Sequence, residues 1–272
     1  MARRARPGEA AVTGLAEPLV TVARGGRIAH VRLNRPTKLN ALSSALVGEA
    51  TGALASFAGD HQISVIVLAG NGRAFSAGAD VQEMRLLDAD NARAFIARMH
   101  ELMATVRRLP QVVIASIHSH CYGGAMELAA ACDIRIAAET ARFGMPEIRM
   151  GMPSVIEAAL LVPLVGLGRA ADLVLTGDVV DGKEAERIGF VTRVVPEPDL
   201  GGATQELAGR IAGYSGPALR LQKELVRDWY GAAYDHAIER GIDIFGRAFV
   251  SPNPREAIDA FVEGREPRFT DL

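Results

Sequence analysis

Cysteine and aromatic side chains are scarce in this chain, and long apolar runs are missing. Only Cys121 and Cys132 occur, outside any Cys-x-x-Cys spacing, which argues against a disulfide framework and a thiolate zinc site. A reducing cytoplasm is the expected setting. Nowhere do about 18 apolar residues follow one another without interruption, the length that a membrane helix needs, so no membrane partner is expected. Charge of one sign is missing too. The 30 Lys and Arg against 32 Asp and Glu leave a net charge of -2, which is too balanced for a chain whose main partner is nucleic acid. No Pro- or Ser-rich linker, low-complexity tract or clear fixed-period repeat divides the 272 residues into independent domains. The opening MARRARPGEA is arginine-rich, but it carries Glu9 and leads into no apolar signal core. A flexible tail over residues 1–16 is the expectation.

What is present is an alternation of short β-branched runs with longer helical patterns, in a chain that is 49% hydrophobic and long enough to bury a sizeable core. Segments 19–22, 28–33, 64–69, 112–117 and 134–137 read as strands. Segments 41–57 and 92–109 read as helices, with Asn40 placed to cap the first. After about Pro196 the strand signal ends, and the pattern is helical to the C-terminus, with Pro217 and Pro254 suited to first-turn positions. The fold class is therefore α/β, with a core over 17–196 and a helical region over 197–272.

Two glycine-containing loops follow apolar strands. The first, in VIVLAGNGRAFSAGAD (65–80), has glycines at 70, 72 and 78, where backbone can approach a ligand closely. It does not meet the GxGxxG dinucleotide fingerprint, because the third glycine comes six residues after the second rather than three. AFSAG is near a nucleophile elbow, but Ala74 stands where the first glycine belongs, so Ser76 reads as a loop serine. The second loop, in VVIASIHSHCYGGAMELAAACD (112–133), puts Gly123 and Gly124 just before a helical run. Such a helix start aims unpaired N–H groups and a positive dipole end beyond the loop. Glu127 reads equally as a helix-stabilising first-turn acid and as a proton carrier. Glu147, in ARFGMPEIRMG (141–151), reads as a surface loop acid or, if buried, as a proton donor near neutral pH. His118 and His120 share a strand face, yet no third ligand accompanies them; polar packing is expected there, and no metal.

Taken together, VRLNRPTKLNAL (31–42), AFSAGADV (74–81), YGGAMELAAACDIRIAAETARFGMPEIRMGMP (122–153) and PREAIDAFVEGREPRF (254–269) resemble the crotonase superfamily, in order and over nearly the whole chain. The resemblance implies a spiral core of ββα turns and a C-terminal helical region used in oligomerisation, giving a homotrimer or a homohexamer. It implies an acyl-CoA thioester substrate, with coenzyme A as part of the substrate and no separate cofactor. By similarity, the N–H groups of Ala79 and Gly124 form an oxyanion hole, and Glu127 and Glu147 handle protons as in hydratases that add water to a 2-enoyl-CoA. Lys38, Arg73, Ala77, Gly78, Asp80, Val81 and Gly123 fall at substrate-binding positions, although Lys38 and Arg73 read equally as surface cations. An enoyl-CoA isomerase, a thioester hydrolase and a non-catalytic acyl-CoA binding protein are the competing readings. The chain departs from the family pattern at SVIEAALLVPLVG (154–166), where many hydratases have a glycine-rich turn. There Glu157 adds a third acid.

Overall fold

A computed structural model describes residues 17–228, 232–250 and 252–268, so the N-terminal tail and Phe269 lie outside the described residues. The strands are β1 (Val20–Gly25), β2 (Ile28–Leu33), β3 (Val65–Gly70), β4 (Val112–Ile117), β5 (His120–Tyr122), β6 (Ile134–Ala138), β7 (Arg142–Gly144), β8 (Val179–Asp181) and β9 (Arg193–Val195). The helices are α1 (Ser44–Ala55), α2 (Val81–Met84), α3 (Ala92–Arg108), α4 (Gly124–Ala131), α5 (Leu161–Val165), α6 (Leu167–Thr176) and α7 (Gly182–Arg187), followed by α8 (Leu200–Ala212), α9 (Gly216–Asp228), α10 (Ala232–Ala248) and α11 (Asn253–Glu263). Two 3-10 turns, Pro146–Met150 and Ile156–Leu160, matter for the site.

The larger sheet has the order β1-β2-β3-β4-β6-β9 and is parallel from β2 onward, with β1 folded back as an antiparallel edge. All six residues of β3 are buried, as a central parallel strand covered on both faces requires. Its alternate side chains serve different cores: Ile66 and Leu68 face the cluster containing Leu46 and Leu54 of α1 and Met99 and Leu102 of α3, whereas Val65 and Val67 meet Leu207, Ala208 and Ile211 of α8. This period-two division follows from strand geometry.

A second, smaller sheet has the order β5-β7-β8. Ser76 extends it by bridging to Cys121 in parallel, and Leu42 bridges to Ala79 beyond that. Each turn of the chain thus adds a strand to the large sheet, a short strand or bridge to the small one, and then a helix. This is the ββα spiral that the resemblance implied. The short strands lie below the length at which hydrophobic alternation is legible, so none was expected from the sequence.

The expected cap at Asn40 is corrected. Ser43 is the N-cap of α1, its Oγ accepting from Leu46 N at 3.2 Å. Asn40 instead adopts a left-handed conformation at φ 54°, which asparagine tolerates better than most residues. It is fully buried. Its Oδ1 accepts from Arg35 N at 2.8 Å, and its Nδ2 donates to Asn71 O at 2.9 Å and Ala74 O at 2.8 Å. A serine has too short a reach for both tasks. Asn40→Ala leaves these buried groups unpaired, and the expected loss is about 3 kcal/mol of stability, measured as a lower urea midpoint at unchanged slope. A wild-type midpoint would contradict the role given to Asn40.

Candidate active site

The register of the small sheet assembles the site. Tyr122 pairs with Gly144 and Ser76 with Cys121, so the chain leaves three adjacent strands or bridges at one level. Gly78 and Ala79 follow the first, Gly123 and Gly124 the second, and Glu147 the third. Gly123 N donates to Gly144 O at 2.9 Å and ties the second exit to the third.

Ala79 is set by its bridge. In that parallel pairing, Leu42 N donates to Gly78 O at 2.8 Å and Asp80 N to Leu42 O at 3.2 Å, so the N–H of Ala79 points away from Leu42. Gly78 has φ +92°, and a Cβ there would lie 2.6 Å from Tyr122 O, so only glycine fits. Ser76 is buried, donating from Oγ to Asn40 O at 2.8 Å and accepting from Gly78 N at 3.2 Å. It is a brace for the loop, in keeping with its sequence reading as a loop serine. Asp80 caps α2 through Gln82 N at 2.9 Å and forms an ion pair with Arg35, leaving Val81 as the first helical residue.

Gly123 has φ +51° and ψ -124°, and a side chain on it would overlap Glu147 Oε1. Gly124 opens α4, and a Cβ built on it would lie 3.9 Å from Ala79 N, so the two peptide units adjoin. Neither Ala79 N nor Gly124 N has an acceptor among the described residues. Two orphan donors side by side are rare in a folded interior. At the other end of α4, the buried Arg135 guanidinium donates to Ala129 O at 3.2 Å and Cys132 O at 2.7 Å. It satisfies the negative end of that helix, while the positive end faces the site.

Glu127 and Glu147 line one cavity with Ala79 and Gly124, and Met84, Phe95, Ile96, Met99, Met152, Pro153, Val155 and Phe245 supply its apolar wall. Glu127 is buried, and its Oε1 accepts from Ala158 N at 3.0 Å. Burial pushes its carboxyl well above the ordinary value, and the charges of Glu147 and Glu157 push further the same way. Glu147 is half-buried in its 3-10 turn, and Ser154 Oγ donates to its Oε2 at 2.8 Å. Burial raises its carboxyl too, against the lowering effect of that bond and of its own backbone N–H. Neither glutamate lies free on the surface: Glu127 is buried and Glu147 half-buried.

Lys38 and Arg73 are exposed on neighbouring segments, since Gly72 packs against Pro36. Ala77 is half-buried, and its N–H donates to Leu39 O at 2.9 Å. His118 Nε2 lies 2.9 Å from Gly72 O and His120 Nδ1 3.3 Å from Tyr122 Oη. Both cysteines are buried free thiols, and burial pushes Cys132 up to about 12. Sequence reasoning left much of the cavity unassigned, including Ser154, Ala158 and Phe245. Phe245 arrives from α10, far along the chain, and no local signal points to it.

Residues 23–272 match the profile of the enoyl-CoA hydratase/isomerase family. The chain is 37% identical over 252 residues to a probable enoyl-CoA hydratase of Mycobacterium tuberculosis, covering 92% of this chain and 97% of that one. It is 34% identical over 245 residues to a crotonyl-CoA hydratase of Syntrophomonas wolfei, covering 89% and 94%. Among solved structures, an enoyl-CoA hydratase from Mycobacterium avium subsp. paratuberculosis K-10 superposes with a TM-score of 0.84 at 26% identity, over 93% of this chain and 99% of that one. A putative enoyl-CoA hydratase from the same organism gives 0.83 at 34% identity, over 92% and 98%. With the spiral fold, the paired donors and the paired carboxyls, these similarities make the chain a member of the enoyl-CoA hydratase/isomerase family, within the crotonase superfamily.

Proposed function

We propose that the protein adds water across the 2,3-double bond of a 2-enoyl-CoA thioester. The observation that carries this reading is the meeting, in one cavity, of two acceptor-free N–H groups with two carboxyls whose pKa values are raised. The N–H groups of Ala79 and Gly124 receive the thioester oxygen and stabilise the negative charge that builds there as C3 is attacked. Glu127 takes a proton from water as its oxygen bonds to C3, and Glu147 delivers a proton to C2, giving a 3-hydroxyacyl thioester. Loss of water runs the same steps backward with the proton loading exchanged. Both reactions need one proton on the pair, a loading that repulsion between the two carboxylates favours over full ionisation.

Gly78 and Gly123 let backbone and carboxyl approach the acyl group, and Ala77, Asp80 and Val81 hold the first loop in shape. Lys38 and Arg73 stand exposed at its rim, where phosphates of the coenzyme are the fitting ligands. No separate cofactor enters these steps. Among the described residues no helix is long and apolar enough to cross a membrane, and we retain the cytoplasm as the proposed setting.

The test is incubation with crotonyl-CoA, following loss of the conjugated thioester absorbance and weighing the product. Gain of one water supports hydration; an unchanged mass or free CoA overturns it. Glu147→Gln is expected to lower kcat by roughly 10²–10⁴ with KM little changed, and near-native turnover would remove Glu147 from the mechanism. Glu127→Gln is expected to be similarly inactive yet more stable at alkaline pH. The sign follows from the raised carboxyl: above the ordinary value of 4.5 the unfolded chain ionises freely and the folded one resists. Wild-type stability therefore falls as pH rises through the folded-state value. The gain in thermal midpoint for Glu127→Gln should grow from pH 4.5 toward pH 8, and a pH-independent difference would count against a buried, proton-holding Glu127.

Assembly into a homotrimer or homohexamer is part of the same reading. An apolar groove lined by Ile156, Val162, Ala170, Val174 and Gly241 supports it, with Leu167 and Leu175 about 70% exposed at its edges. Of the C-terminal apolar side chains, Ile258 is fully buried within its own chain, whereas Phe261 is exposed. Sedimentation of the wild type should show no dominant monomer, and Leu175→Asp should shift the distribution toward one. A monomeric, active wild-type protein would contradict the assembly.

A further inference from the structure

The turn at Ile156–Leu160 carries a carboxylate that the hydration scheme does not use. Glu157 is 0% exposed. Its Oε1 lies 3.0 Å from His100 Nδ1 and 4.0 Å from Arg107 Nη1, both on α3, and its Oε2 is buried without a partner among the described residues. A carboxylate in such a place is costly unless neighbours compensate its charge.

The backbone beside it is strained. Ile156 has φ +43°, and a β-branched residue in that region persists only where its surroundings hold it. Those surroundings are visible on both sides. Gly241 of α10 packs so closely that a Cβ there would lie 2.8 Å from Ile156 N. On the other side, Glu157 is anchored to α3. The peptide bond that follows Glu157 then presents Ala158 N–H to Glu127 Oε1 at 3.0 Å.

We propose that Glu157, anchored by His100 and Arg107, is a positioning residue for Glu127: it holds the strained turn so that Ala158 N–H fixes the Glu127 carboxyl toward the reacting water. This rests on the reading of Glu127 as the group that exchanges a proton with water. Glu157 acts also through its charge, which opposes ionisation of Glu127. Among the described residues, the groups facing Glu157 are His100 and Arg107 from α3, and Glu127 from α4 with Glu147 beyond it. α5 carries no ionisable side chain, and the described ionisable side chains of α10, Glu239, Asp243 and Arg247, are exposed.

Glu157→Gln keeps the shape and removes the charge; His100→Ala removes the anchor at a partly exposed position. Crotonyl-CoA hydration by each is followed across pH. For Glu157→Gln the expected result is a kcat at least about tenfold lower, a KM within about twofold of wild type, and a displacement of the bell-shaped profile to lower pH. For His100→Ala a comparable fall in kcat at constant KM is expected. A Glu157→Gln profile that loses height with its limbs in place reduces Glu157 to packing and overturns the proposal, as does wild-type kcat in that variant. Should Glu157→Gln not fold, His100→Ala decides: kcat within about twofold of wild type overturns the proposal, and a selective fall in kcat sustains it. The two levels separate cleanly. If Glu127→Gln is inactive while both variants behave as wild type, only the role of Glu157 fails. If Glu127→Gln turns over normally, the hydration reading itself fails.

Discussion

The register of the small parallel ladder is the constraint on which the site depends. Ser76 opposite Cys121 and Tyr122 opposite Gly144 bring three chain exits to one level, and each exit delivers one part of the machinery. A slip of one residue in such a ladder would turn every side chain to the other face. It would also carry the Ala79 and Gly124 N–H groups off a common target. The large sheet enforces the register from below, because β3, β4 and β6 are themselves in register and closely packed.

Electrostatics then follows from burial. The glutamates sit in a cavity whose remaining wall is almost wholly apolar, so each resists ionisation, and the charges of Glu147 and Glu157 strengthen that resistance at Glu127. On the proposed reading, two N–H groups without acceptors among the described residues are tolerated at the same place because an incoming carbonyl oxygen would complete them. Unsatisfied donors and acids that hold their protons are both costs to the fold. Their coincidence at a single point is what separates a site from a defect.

The C-terminal helices are part of this arrangement. Phe245 of α10 closes the cavity, and Gly241 braces the turn bearing Ala158. α11 anchors through Arg255, which donates to Leu87 O at 2.6 Å, and through Asp259, which pairs with Arg85 at 2.7 Å. The region after Pro196 therefore completes the proposed catalytic cavity of its own chain, a contribution distinct from any role in assembly.

Much of this was legible in the sequence. The five longer strands, the helices α1 and α3 and the helical C-terminal region were readable because burial on a sheet or helix imposes a period of two or 3.6 on side chains that the chain itself carries. The glycine loops and both glutamates were likewise visible as residue types suited to close approach and proton transfer. Only the tertiary structure decided which of them meet. The three-residue strands that set the register are too short to show a period, and Asn40 and Ser43 both suit a helix start until the loop 71–74 claims the amide of Asn40. Glu157 and His100 lie 57 positions apart, and no local pattern pairs them. Long-range packing alone brings such residues into contact, and that packing also determines how firmly a carboxyl holds its proton.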